Sequence, residues 1–166
     1  MYELELTDEA RTLVDITKSD SGISGPDLAI AHMKLGSLLA NMLPVDPKDT
    51  TVIAILRGGI FFAEGIYLTL GCKFQLYDPK YESFCAPATK SIILVDSVIN
   101  TGETIKSIYQ AGMLVACCVI NEHTVNDFGD DLYTVRVSKN RFIGSNIKTQ
   151  VGNRGPDTSM RLFNLL

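Results

Sequence analysis

The residue types best suited to holding an anion beside a set of hydroxyls fall together between Ile92 and Thr104, in the segment IILVDSVINTGET. Ile92 to Val95 is a short continuous apolar run, the pattern of a strand buried on both faces, and it ends on one carboxylate, Asp96. A short excursion through Ser97 and Asn100 leads to Thr101-Gly102-Glu103-Thr104. That turn presents consecutive backbone N–H groups and two hydroxyls where a helix begins, which is how short loops hold a phosphate group. Asp96 stands close enough in sequence to hydrogen-bond vicinal hydroxyls of a sugar carrying that phosphate. Glu103 would repel an anion if its side chain faced inward, so only its N–H is expected to take part. Spacing alone leaves a plainer reading open, a capped helix after a strand, since threonine is a good cap.

A second turn, Arg57-Gly58-Gly59, follows the apolar run Val52 to Leu56 and joins a cation to two glycine amides. It reads either as an anion loop or as a solvated turn. Other chemistries are poorly represented. The chain contains no HExxH, no GxSxG and no GxxxxGK[ST]. His32 and His123 have no partners at ligand spacing, and Lys90 and Lys106 read either as solvated lysines, the plainer reading, or as added positive potential near the phosphate turn. Cys72, Cys85, Cys117 and Cys118 form no CxxC pair and are expected as reduced thiols. No metal-ligating residues are expected.

The elements that must position these turns are legible as periodicities. A helix should open at Ser24-Gly25-Pro26-Asp27, with proline at its first position, and carry an apolar stripe of Leu28, Ala31, Leu35, Leu38 and Met42 before Pro44 and Pro47. The first 24 residues are mixed and polar. After the Val52–Leu56 strand comes a largely buried helix over Ile60 to Leu70, stopped by Gly71, and then a strand over Lys73 to Tyr77. A short helix from Glu103 with Ile105 and Ile108 on one side should end at Gly112, ahead of a third buried strand, Leu114 to Ile120. Tyr133, Val135 and Val137 alternate with Thr134 and Arg136, the pattern of a half-exposed edge strand. Strand–helix–strand alternation predicts an α/β fold with a central, mostly parallel sheet and flanking helices. Ligands of such sheets sit beyond the carboxyl ends of the strands, where both glycine-bearing turns fall.

The whole chain is consistent with that plan. Its 166 residues are one domain's worth, and no repeat or linker divides them. Hydrophobic residues make up 46% and charged residues 20%, which excludes a disordered chain. Fifteen Lys and Arg stand against 19 Asp and Glu, a net charge of −4 with a pI near 5.1. An acidic chain lacks the electrostatic footprint of a nucleic-acid or anionic-membrane binder, so anions must be handled by local loops. The acidic, interrupted amino terminus is not a signal peptide, and no apolar stretch reaches the ~18 residues of a membrane span. A cytoplasmic location is expected.

With these motifs in place, the sequence resembles a known family. Four apolar residues, an acid, and a T-G-x-T turn are similar to the ribose-phosphate signature of type I phosphoribosyltransferases, and Leu56-Arg57-Gly58-Gly59 is similar to their pyrophosphate loop. The uracil branch is the nearest. Residues 24–40 resemble its amino-terminal helix. Ile55-Leu56-Arg57-Gly58-Gly59 resembles its ILRAG-type loop, with Gly58 in place of alanine. A single Asp followed by a non-acid, here Asp96-Ser97, also fits that branch. Residues 152–163, GNRGPDTSMRLF, look like its uracil-reading hood, in which a glycine- and aspartate-rich turn precedes Arg-x-Phe. The chain departs from the family in being shorter between Tyr77 and Lys90, and in placing Met160 directly before Arg161. Asn100 takes the position where purine-transferring relatives place a catalytic Asp, and an amide cannot act as a general base.

The resemblance implies the type I fold over residues 1–166, with a small hood formed mainly by about 140–166 together with amino-terminal residues. It implies condensation of uracil with phosphoribosyl diphosphate (PRPP) to UMP and pyrophosphate, with Mg²⁺ carried on PRPP, in a homodimer. Alternatives are another base such as orotate, whose carboxylate Arg154 or Arg161 would have to hold, or a non-catalytic PRPP- or nucleotide-binding regulator on the same fold. Arg57 and Asp96 are the implied catalytic residues. Gly58, Gly59, Ser97, Asn100, Thr101, Gly102, Glu103 and Thr104 join them around PRPP, and Gly152, Gly155 and Asp157 read the base. Relatives often carry a non-proline cis peptide in the pyrophosphate loop, so Leu56–Arg57 and Arg57–Gly58 are its candidate positions.

Overall fold

A computed structural model describes residues 1–140 and 142–166. Among them, strands β1 (Tyr2–Glu3), β2 (Thr50–Ile55), β3 (Lys73–Tyr77), β4 (Ser91–Ile99), β5 (Leu114–Asn121) and β6 (Leu132–Ser138) form one sheet in the order β1-β6-β5-β4-β2-β3. Every pairing in it is parallel. Helices α1 (Asp8–Thr17), α2 (Pro26–Ala40), α3 (Ile60–Leu70) and α4 (Glu103–Lys106) connect or precede the strands. The short strands β7 (Ile143–Ser145) and β8 (Arg154–Pro156) pair separately, and α5 (Thr158–Leu162) follows.

Both faces of the sheet are covered, which is why its central strands read as unbroken apolar runs. Side chains alternate between faces along a strand. Val52, Ala54, Ile93, Val95, Ala116 and Cys118 pack with α1, α2 and α3, while Ile53, Ile55, Leu94, Val115 and Cys117 pack with Ile105, Ile108, Met113 and Phe128. Helices α2 and α3 approach each other at two glycines. A Cβ on Gly36 would lie 2.1 Å from the Phe62 carbonyl oxygen, and one on Gly65 would lie 1.9 Å from that of Met33. The boundaries of α3 and β3 fall where the apolar run and its terminating Gly71, which is left-handed, place them.

Several expectations are corrected. The polar amino-terminal stretch contains α1, capped by the Thr7 hydroxyl, which accepts from the Ala10 N–H at 3.2 Å. Its buried Ala10, Leu13, Val14 and Thr17 follow helical spacing. Strand β4 does not end at Asp96: Val98 and Ile99 continue its pairing with Val119 and Ile120 of β5. Strand β6 is not an edge, because β1 pairs outside it, Tyr2 against Tyr133, with the two rings stacked 4.8 Å apart. Thr134, expected outward, is fully buried and accepts from the Cys117 thiol. Helix α4 stops at Lys106 and does not reach Gly112, although Ile105 and Ile108 are buried as expected. Helix α2 ends at Ala40, short of Met42 and the prolines, and it buries more than one stripe, His32, Gly36 and Leu39 included. All four cysteines are free, and no described helix is long and apolar enough to cross a membrane.

The carboxyl-terminal segment is tied to the connection between α1 and α2 by one side chain. Arg161, 3% exposed, donates to the carbonyls of Thr17 (3.3 Å), Lys18 (3.0 Å) and Ile23 (2.8 Å), and to the Ser21 hydroxyl (3.1 Å).

Candidate active site

The carboxyl ends of β2, β4, β5 and β6 open into a cleft of about 700 Å³, closed on its far side by residues 142–161. This is where a parallel sheet presents its ligand site. At one end the chain leaves β2 through the loop Leu56–Gly59. The Leu56–Arg57 peptide is cis. Arg57 is exposed, with its guanidinium carbon 5.9 Å from the centre of the Phe163 ring. Gly59 must be glycine, because a Cβ there would lie 2.4 Å from the Val95 carbonyl oxygen and 2.8 Å from that of Ile55. Its N–H donates to the Ile55 carbonyl at 2.9 Å. That amide is spent on the fold, and Gly59 does not line the cleft, so Arg57 and Gly58 are what the loop offers an anion.

Asp96 faces this loop from β4. A Cβ on Gly58 would stand 3.1 Å from Asp96 Oδ1, so the glycine in place of alanine lets the two segments close up. Oδ1 accepts from the Ser97 N–H at 2.7 Å. The acidity of the carboxyl is nevertheless pushed to a pKa of about 7, chiefly because burial disfavours the charge and also because Asp157 across the cleft adds like charge; the Ser97 and Val98 amides oppose both. Ser97 is fully buried, and its hydroxyl donates to the Gly58 carbonyl at 2.6 Å. It ties the loop to β4, a role its expected contact with PRPP did not anticipate.

The Thr101–Thr104 turn lies just beyond Asn100, the last residue of this run to line the cleft. Gly102 is left-handed (φ +70°), and a Cβ there would meet the Thr124 methyl at 2.7 Å. Thr124 in turn donates its hydroxyl to the Asn100 carbonyl at 2.5 Å, which buttresses the turn. The Glu103 carboxylate pairs with Lys106 at 2.9 Å, and Lys106 also reaches Asp127 at 3.2 Å. Glu103 is therefore drawn toward Lys106, and Lys106 is an ion-paired lysine.

The three expected base readers separate. Gly155 and Asp157 line the cleft; Gly152 is exposed and outside it. Asp157 caps α5, its Oδ1 accepting from the Ser159 hydroxyl at 2.5 Å and from the Met160 N–H at 2.9 Å. Arg161 is fully engaged with backbone carbonyls, and Arg154 is exposed and outside the cleft, so neither is placed to hold a base carboxylate. Residues passed over in the sequence also line the cleft: Arg136 and Asn121 at the ends of β6 and β5, and Phe142 against Gly155. Among the described residues no three His, Cys, Asp or Glu side chains are grouped to hold a metal ion.

Compared by sequence, the chain matches no family model and no curated protein. Compared by structure, it is similar to AQ2163 protein from Aquifex aeolicus, with a TM-score of 0.64 at 14% identity over 82% of this chain and 87% of that one. A hypoxanthine-guanine-xanthine phosphoribosyltransferase gives 0.51 at 18% identity, over 68% and 77% of the two chains. The APRTase from Giardia lamblia, solved with 9-deazaadenine, gives 0.50 at 15% identity, over 68% and 81%. Identities this low speak for the fold alone. The fold is that of the type I phosphoribosyltransferases, with its six-stranded parallel sheet flanked by helices.

Proposed function

We propose that the protein transfers ribose 5-phosphate from PRPP to uracil, forming UMP and releasing pyrophosphate. The observation that carries this reading is the meeting of the Arg57–Gly58 loop with the Asp96 carboxylate in one cleft on this fold. The reacting sugar carbon becomes cation-like as the diphosphate departs, so the protein's work is positioning and charge stabilisation. Arg57 and the Gly58 amide receive the diphosphate, Asp96 accepts hydrogen bonds from the ribose hydroxyls, and the Thr101–Thr104 turn holds the 5′-phosphate. Mg²⁺ bound to PRPP would neutralise diphosphate charge; Asp96 is the acid placed to meet it, which fits a metal held mainly by substrate oxygens.

The base lies between Phe142, Gly155 and the ends of β5 and β6. Asn100 offers a purine no general base. A spectrophotometric assay with PRPP and uracil, cytosine, hypoxanthine, adenine or orotate tests the assignment. Uracil is expected to be turned over fastest. Transfer to one of the others with none to uracil would overturn the base and leave the reaction class standing.

A further inference from the structure

The proposed reaction uses Arg57 and Asp96 at the diphosphate end of the cleft but leaves a cation at the other end without a task. Arg136 lines the cleft from the carboxyl-terminal half of β6. Its Nε is buried with no hydrogen-bond partner, and among the described residues the side chain makes no ion pair. A half-buried guanidinium without an anion is expensive, because the lost hydration is not replaced. The buried Arg161 shows what the fold does when such a group is structural: it surrounds it with carbonyls. Arg136 has no such shell.

Its position separates it from the diphosphate site. In the sheet order β6-β5-β4-β2, Arg136 stands three strands from the Arg57 loop, about 14 Å at ~4.8 Å per strand. Between them lies Asp96 on β4, and Arg136, opposite Val119 of β5, shares the cleft with Asn121 and Phe142, the part left for the acceptor. His32, the nearby buried histidine, is held neutral, its pKa lowered to about 3 by burial and by Arg161 and Arg136, so it adds no second positive charge beside Arg136. The cleft also has no group at Asn100 to take the acceptor's proton.

We propose that Arg136 is the counter-ion of the acceptor: it holds the negative charge that the pyrimidine carries when its ring nitrogen attacks. This rests on the phosphoribosyl-transfer reading above. The ring N–H gives its proton to solvent and the charge spreads to the ring carbonyls, which accept from the guanidinium. The nitrogen–C1 bond of the ribose then forms as the bond from C1 to the diphosphate oxygen breaks, and the electron pair leaves with pyrophosphate. A cation beside the ring lowers the acidity barrier that a general base would otherwise have to overcome. A ring carboxylate would satisfy the same cation, so orotate is the second possible source of the charge.

The test compares wild type with Arg136→Gln and Arg136→Lys, using uracil, the more acidic 5-fluorouracil, and orotate. Arg136→Gln is expected to lower kcat with uracil by more than tenfold and to keep PRPP affinity within twofold. The loss should be smaller with 5-fluorouracil, whose ring ionises more readily, and Arg136→Lys should recover part of the rate. If the charge comes from a carboxylate, the tenfold loss appears in KM for orotate alone. An equal loss with uracil and 5-fluorouracil that lysine does not relieve, or no loss with any acceptor, would overturn the proposal. Calorimetric binding of 5-fluorouracil gives a readout without turnover. Wild-type affinity should rise with pH as the ring ionises, and Arg136→Gln should abolish the rise; a rise common to both, or absent from both, contradicts the proposal. A wild-type protein that shows this binding but does not bind PRPP would overturn the functional reading and spare the role of Arg136.

Discussion

Asp96 and Ser97 are adjacent in the chain and opposite in consequence. The Asp96 carboxyl, with its pKa raised to about 7, keeps its proton in the folded protein over a range where the unfolded chain has lost it. Folding stability should therefore fall as pH rises from about 4 to about 7 and level off above, because the unfolded state binds fewer protons through that window. Asp96→Asn removes the group that titrates. Its melting temperature should exceed that of wild type at pH 8 and approach it at pH 4, while phosphoribosyl transfer is lost. A variant less stable than wild type at pH 8 would mean that the carboxylate is not held at an unfavourable charge. Ser97→Ala, by contrast, leaves the buried Gly58 carbonyl without its donor, a loss of ~1–3 kcal/mol. Denaturant titration should show that drop, and KM for PRPP should rise as the Arg57 loop loosens.

Elements differ in how plainly the sequence announces them, and the reason is what each packs against. Helix α3 and strand β3 are legible to their ends because the apolar run is bounded by Gly58-Gly59 and Gly71, whereas β2 starts at Thr50, two residues ahead of its apolar run, and stops at Ile55, short of Leu56. The extent of β4 is not, since the partner that extends it past Asp96 is β5, and pairing leaves no mark in the β4 sequence itself. Arg136 was hidden by its own regularity: alternation with Val135 and Val137 reads as a solvated edge, and only β1 beyond β6 reverses that. The carbonyl contacts of Arg161 are obscured in the same way, because they lie far off in sequence. At this scale the phosphate turn gives a prediction. Gly102→Val forces a β-branched residue to φ +70° and drives its Cβ onto the Thr124 methyl, which braces the turn through Asn100. PRPP affinity should fall by more than tenfold, about 1.4 kcal/mol, in a variant whose circular dichroism is unchanged. Wild-type affinity in that variant would remove the turn from the site.

On the scale of the whole molecule, the cleft is closed by a segment whose attachment depends on Arg161. Arg161→Met would leave the carbonyls of Thr17, Lys18 and Ile23 without the donor they share, so the melting temperature should fall and amide exchange should speed up across residues 158–163 before it does in the central sheet. Uniform exchange throughout would show that the segment opens only with global unfolding. The central claim is that this sheet presents Arg57, Gly58 and Asp96 as a PRPP site, and titration calorimetry with Mg²⁺ and PRPP tests it most directly. Saturable one-site binding to the wild-type chain is expected, weakened at least tenfold by Arg57→Ala, with Lys90→Ala unchanged. No binding to the wild-type chain, or binding indifferent to Arg57, would contradict it.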